Sequence, residues 1–129
     1  MKIVLKSLWR KKRGDTWSKI QLGDYANKSG VYIHHSNQKI LYVGKTTTGK
    51  WGNFGERLRR EFQYTSSQNV HLHQLLASQK NPIYTYFIDI ERIEIMIGSD
   101  TPPELSRETK VLIIERVLID LYKPEGNKK

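Results

Sequence analysis

From Gly30 to Gly44 apolar and polar residues alternate with a period of two on either side of Ser36-Asn37-Gln38, the pattern of a β-hairpin. In the first strand Val31, Ile33 and His35 share one face, and Tyr32 and His34 share the other. In the second, Leu41 and Val43 alternate with Ile40, Tyr42 and Gly44. A three-residue loop at Ser36-Asn37-Gln38 sets His35 opposite Lys39 and Tyr32 opposite Tyr42. Val31, Ile33, Leu41 and Val43 then form an aliphatic core face, and the two tyrosines and His34 are displayed on the reverse. The period changes after Asn53, where Phe54, Leu58 and Phe62 at i, i+4 and i+8 predict an amphipathic helix. A second helix is expected over Gln68 to Gln79, with Val70, Leu72, Leu75 and Leu76 available for packing and Asn81-Pro82 as its stop. Ile83 to Ile97 is rich in Tyr, Ile and Phe and alternates at Ile93, Ile95 and Ile97, so it reads as a long third strand. Asp100-Thr101-Pro102 starts a final helix that includes the apolar run Val111 to Tyr122 and ends at Lys123-Pro124. Met1 to Trp9 alternates loosely enough for one more strand. The order β-β-α-α-β-α predicts an α+β fold, with a three-stranded, possibly four-stranded, antiparallel sheet flanked by helices.

At 129 residues, without an internal repeat or a linker, the chain suits a single domain over residues 1–129 with one modest core, its first 20 residues forming a basic arm. Twenty-two Lys and Arg against 13 Asp and Glu leave a net charge of +9, and the pI is about 9.8. That balance favours a polyanionic partner, although it speaks to association and not to chemistry. The cluster Arg10-Lys11-Lys12-Arg13 is equally well read as a solvated arm and as a contact to a DNA backbone. The chain has no cysteine, which excludes disulfides, thiolate zinc sites and cysteine nucleophiles. No apolar run is long enough to span a bilayer, and Met1 to Trp9 is too short and too interrupted for a signal peptide, so a cytoplasmic protein is expected.

Candidate chemistry concentrates at a few positions. Two phenols displayed together beside Lys45 suit a phosphate-handling surface. Arg57 borders the Phe54, Leu58 and Phe62 stripe and can project toward the hairpin, whereas Arg59 and Arg60 belong to more exposed faces. On the last helix Glu115 falls within the arc of Leu112, Leu118, Ile119 and Tyr122, while Arg116 and Asp120 lie together on another side. A carboxylate among packing positions calls for a cation or a metal as partner, since leaving it bare costs roughly several kcal/mol. Gly44-Lys45-Thr46-Thr47-Thr48-Gly49-Lys50 matches the start of a phosphate-binding P-loop, but Trp51 stands where that motif needs Ser or Thr. The strand before it belongs to a hairpin and not to a βαβ unit, so a nucleotide cofactor is not expected. His71 and His73 are two apart on a helix and do not share a face.

In this order, Gly30-Val31-Tyr32, Tyr42-Val43-Gly44, Arg57-Leu58, Glu115 and Asn127 after Pro124 resemble the GIY-YIG endonucleases over most of the chain. The run Ile40 to Lys45 is most similar to the nuclease domain of the bacterial nucleotide excision repair incision protein. Either three-residue signature alone is weak; both at hairpin spacing, followed by Arg, Glu and Pro-x-x-Asn, are specific. The choice of Arg57 over Arg59 or Arg60 rests on Leu58 and on helix phase. Two departures stand out: the segment Thr46 to Phe54 is long, and Glu61 occupies the position, four after the arginine, where family members often carry His or Tyr. Tyr64 or His34 is then the candidate for that missing group, and Glu61 can instead pair with Arg57.

The resemblance implies a metal-dependent nuclease that hydrolyses DNA phosphodiesters, as a stand-alone enzyme of phage or mobile-element type or as a portion of something larger. It implies Glu115 as the ligand of one Mg²⁺ or Mn²⁺, Arg57 on the scissile phosphate, Tyr32 as general base or water-orienting group, Tyr42 assisting, and Lys45 lowering the phenol pKa or touching phosphate. DNA contacts are expected at Gly44, Lys50, Arg59, Arg60 and Asn127. A module that keeps the fold but only binds nucleic acid is the alternative. Taken singly, Tyr32 and Tyr42 also suit ordinary cross-strand packing, Gly30 and Gly44 ordinary strand ends, and Glu115 a buried partner for an arginine.

Overall fold

A computed structural model describes residues 2–4, 22–36, 38–47, 52–62, 70–81, 83–97 and 106–127. Its strands are β1 (Lys2–Val4), β2 (Gly30–Ser36), β3 (Lys39–Thr46) and β4 (Tyr84–Asp89). The helices are α1 (Phe54–Phe62), α2 (Val70–Ala77), α3 (Ile90–Ile97) and α4 (Arg107–Tyr122), with short 3-10 turns at Gly23–Asn27 and Glu125–Asn127. The α+β class is as expected. A three-stranded antiparallel sheet, β4-β2-β3, carries the three-residue β1 as a fourth strand beyond β4.

The hairpin forms with a different register. Ser36 pairs with Lys39 and His35 with Ile40, so only two residues connect the strands, with Gln38 at a φ of 65°. A bulge between His34 and His35 then leaves Leu41 as the extra residue on β3. Tyr32 therefore faces Gly44, and Tyr42 faces His34. The extra residue also exchanges two side chains. Leu41 turns to the Tyr32 face, and Ile40 joins Val31, Ile33 and Val43. A one-residue slip in a period-two element has this effect by geometry alone.

The long third strand is the second correction. β4 ends at Asp89, and Ile90–Ile97 is helical. Asp89 caps that helix by accepting from the backbone N–H of Arg92 at 2.9 Å. Ile90, Ile93 and Ile97 then share the helix face that packs on the sheet, which leaves Ile95 exposed. The final helix begins after Ser106, whose hydroxyl accepts from the N–H of Thr109 at 3.1 Å. The start expected at Asp100-Thr101-Pro102 lies outside the described residues. It stops at Lys123, left-handed with φ 45° and ψ 57°.

Two cores lie on opposite sides of the sheet. One is largely aromatic: Tyr32, Phe54 and Phe87 with Leu41, Leu58, Leu72, Leu76 and Ile83, closed by α1, α2 and the 3-10 turn that supplies Ala26. The other is aliphatic, with Val31, Val43, Ile93 and Val111 buried beneath α3 and α4. Among the described residues no helix is long and apolar enough to cross a membrane.

Candidate active site at the edge of the sheet

β3 is the outermost strand of the described sheet, and the candidate residues gather around its Gly44 end. Tyr32, on the neighbouring β2, is fully buried and turns its ring over Gly44. A Cβ at Gly44 would overlap the phenol of Tyr32 and crowd the ring of Tyr42. The glycine is thus needed first for the tyrosine pair, before any substrate is considered. The two rings are 6.0 Å apart and tilted by 45°. Phe54 meets Tyr32 edge-on at 6.1 Å, and His34 lies 5.2 Å from Tyr32 and stacks on Tyr42 at 6.1 Å. His34 is itself buried and held by Thr85, Nδ1 to Oγ1 at 2.7 Å.

α1 brings the arginine. Asn53 caps it, accepting from the N–H of Glu56 at 2.8 Å. With Phe54 and Leu58 locked in the aromatic core, Arg57 on their flank donates from Nε to the Tyr32 hydroxyl at 3.3 Å. Arg59 and Arg60 lie on α1, but their side chains, like that of Glu61, are outside the described residues, as is Lys50. So are Tyr64 and the cluster Arg10-Lys11-Lys12-Arg13.

α4 brings the acid from the aliphatic side of the sheet. Glu115 is half-buried. Burial pushes its carboxyl above the ordinary 4.5, and the positive charges of Lys45, Arg57 and Arg116 pull back without cancelling the rise. Lys45 lies on that same aliphatic side of β3, opposite Val31. Arg57 bonds Tyr32, and its positive charge is one of those that act on the Glu115 carboxyl. Leu112 and Tyr122, expected beside Glu115 in the packing arc, are 44 and 50% exposed.

The chain terminus completes the edge. Val43 donates its N–H to Oδ1 of Asn127 at 2.9 Å, and Nδ2 of Asn127 donates to the Val43 carbonyl at 2.8 Å. This side-chain amide imitates a strand residue and covers the outer edge of β3. It is engaged with the protein backbone, where a DNA contact had been expected. Gly126 makes the approach possible, since a Cβ there would lie 2.6 Å from the Leu41 carbonyl oxygen. Sequence reasoning passed over Gly126 and Thr85; neither carries a pattern that marks it.

Tyr42, Lys45, Arg57 and Glu115 are each partly exposed and Tyr32 is fully buried, so the accessible part of the set has two positive charges and one acid. A separate cleft of about 210 Å³ between Lys28, Asp89 and Arg107 includes none of these residues. Comparison with protein-family models, curated proteins and solved structures matched nothing.

Proposed function

We propose that the chain is a metal-dependent endonuclease of GIY-YIG type that hydrolyses DNA phosphodiesters at the Gly44 end of β3. The observation that carries this reading is the bond from Arg57 Nε to the Tyr32 hydroxyl, beside Gly44 and Tyr42 and with Glu115 within range of the same arginine's charge. Two phenols and a guanidinium gather on the aromatic side of the sheet, and an ammonium and one carboxylate on the aliphatic side, at the Gly44 end of β3.

The donor set suits a hard divalent cation. Magnesium keeps several waters and needs only one or two carboxylates, and Glu115 supplies one, with Lys45, Arg57 and Arg116 partly offsetting the burial that favours its protonated form. When bound, magnesium or manganese supplies charge neutralisation at the phosphate and at the leaving oxygen. Arg57 binds a nonbridging phosphate oxygen through its outer N–H groups while its Nε stays on Tyr32. Lys45 adds a second positive charge at the same end of β3.

A general base must reach the attacking water, and Tyr32 has no exposed surface. Our reading therefore gives Tyr32 the task of orienting Arg57 from below, and gives the half-exposed Tyr42 contact with the water. The same burial is the one observation that favours the alternative, a module that binds nucleic acid without cutting it.

Supercoiled plasmid incubated with the protein, with Mg²⁺ or with EDTA, separates the readings. The nuclease forms nicked circles only with the metal. Retardation of DNA without nicking would select the binding module, and nicking that EDTA does not stop would reject the role given to Glu115.

A further inference from the structure

α4 carries apolar residues on more than the arc that meets the sheet. One arc, Val111, Ile114, Leu118 and Ile119, packs with Val31 and Val43 on the aliphatic side of the sheet. On an adjoining arc, about 100° around from Leu118, Ile113, Val117 and Leu121 recur at every fourth position, and Val117 and Leu121 are 55 and 67% exposed. The adjoining α3 adds Ile95 and Met96, 82 and 57% exposed. Single exposed aliphatics are ordinary, but a stripe repeated along three turns of one helix is the mark of a contact surface. The described fold covers one apolar arc of α4 and leaves this second one outside.

We infer that a second copy of this chain docks on this face, α4 against α4 in antiparallel fashion about a two-fold axis near Val117. The charges beside the stripe select this occupant. Arg116 and Asp120 are both exposed and lie one turn apart on the same flank. A two-fold axis reverses the second helix, so Arg116 meets Asp120 of the partner subunit, and Asp120 meets Arg116 of the partner subunit. The same operation lays Ile113 against the partner's Leu121, and Val117 against its own counterpart. The two registers differ by two residues, about 3 Å of helix rise, which an arginine side chain spans. A lipid surface or an unrelated protein gives no reason for acid and base to stand in this reciprocal order. Glu115 lies about 160° around α4 from Val117 at 100° per residue, so dimerisation leaves both sheet edges open. This inference stands independently of the nuclease reading.

Sedimentation velocity of the full chain over a concentration series tests it. The expected species has twice the chain mass of 15.1 kDa and dissociates on dilution. Val117→Lys should leave a monomer at every concentration. Arg116→Asp should weaken the dimer by about tenfold, because both reciprocal contacts become repulsive. The double change Arg116→Asp with Asp120→Arg should restore it. A wild-type monomer throughout would overturn the inference. So would a dimer indifferent to Arg116→Asp, or a double variant no tighter than the single one. Arg116→Asp lies on an exposed flank and carries the test even if Val117→Lys fails to fold.

Discussion

The two sides of the sheet solve the same packing problem differently. On the aromatic side Tyr32, Phe54 and Phe87 interlock with leucines from α1 and α2, and the side chains that aim Arg57 are fixed by rings that touch one another. On the aliphatic side α3 and α4 cover Val31 and Val43 but keep a second apolar arc outside. The aromatic side is finished by its own chain, while the aliphatic side has surface to spare. The difference lies in geometry: one buried aromatic fills the span of several methyl groups and fixes its neighbours' orientation, whereas a helix with aliphatics on two arcs buries only the one that meets the sheet. The candidate site sits where the two sides meet, at the edge of β3, and takes its rigidity from one and its acid from the other.

Truncation should break this contrast most visibly. Leu58→Ala, in the aromatic core, should cost about 2–5 kcal/mol in denaturant unfolding and loosen Arg57. Ile95→Ser, on the outer face of α3, should change stability by about 0.5 kcal/mol or less. Equal losses at the two positions would refute the division into a finished and an unfinished side.

Asn127→Ala tests the seam between them. Both Asn127 bonds to Val43 disappear, and the expected loss is about 1–3 kcal/mol, with faster amide exchange at Val43. Asn127→Asp keeps an acceptor for the Val43 N–H and loses the donor to its carbonyl, so it should fall between the wild type and the alanine variant.

A smaller change separates the two phenols. Tyr32→Phe removes one hydrogen bond to Arg57 inside a packed core and should cost about 0.5–1.5 kcal/mol of stability. Tyr42→Phe should reduce nicking by about 10²-fold or more, as expected for a group that handles a proton, and Tyr32→Phe should reduce it less. The reverse pattern would return the base role to Tyr32.

The smallest effect is electrostatic. Because its folded-state carboxyl titrates above 4.5, Glu115 holds its proton more tightly in the folded chain than in the unfolded one. Its contribution to stability is full below 4.5 and is lost as pH rises through the raised value. Glu115→Gln should therefore flatten the unfolding profile between pH 4.5 and neutrality and leave the protein no less stable at neutral pH. Nicking by the wild type should fall as pH drops through the same window, since only the carboxylate binds a metal.

Local pattern made the outline legible. Alternation on either side of the loop marked the hairpin, and Phe54 and Leu58 marked the buried stripe of α1 as the structure has it. The bulge was not legible, because one extra residue at Leu41 alters no composition while it turns Leu41 and Ile40 to opposite faces. Ile83 to Ile97 misled for another reason. Ile93, Ile95 and Ile97 satisfy a period of two, while Ile90, Ile93 and Ile97 satisfy the helical period, and the cap at Asp89 decides between them. At the site, the approach of Arg57 to Tyr32 followed from helix phase. The Asn127 clamp pairs a side chain with backbone 84 positions away and leaves no periodic trace. The burial of Tyr32 depends on α1 and α2 closing over it, a tertiary fact that no strand pattern encodes.

The most direct test of the central claim, that acid and arginine act together at the edge of β3, is metal-dependent nicking of supercoiled plasmid by Glu115→Gln and Arg57→Ala beside the wild type, with DNA retardation measured in parallel. The account predicts nicked circles from the wild type alone and DNA binding by all three proteins. Wild-type nicking by either variant would contradict it.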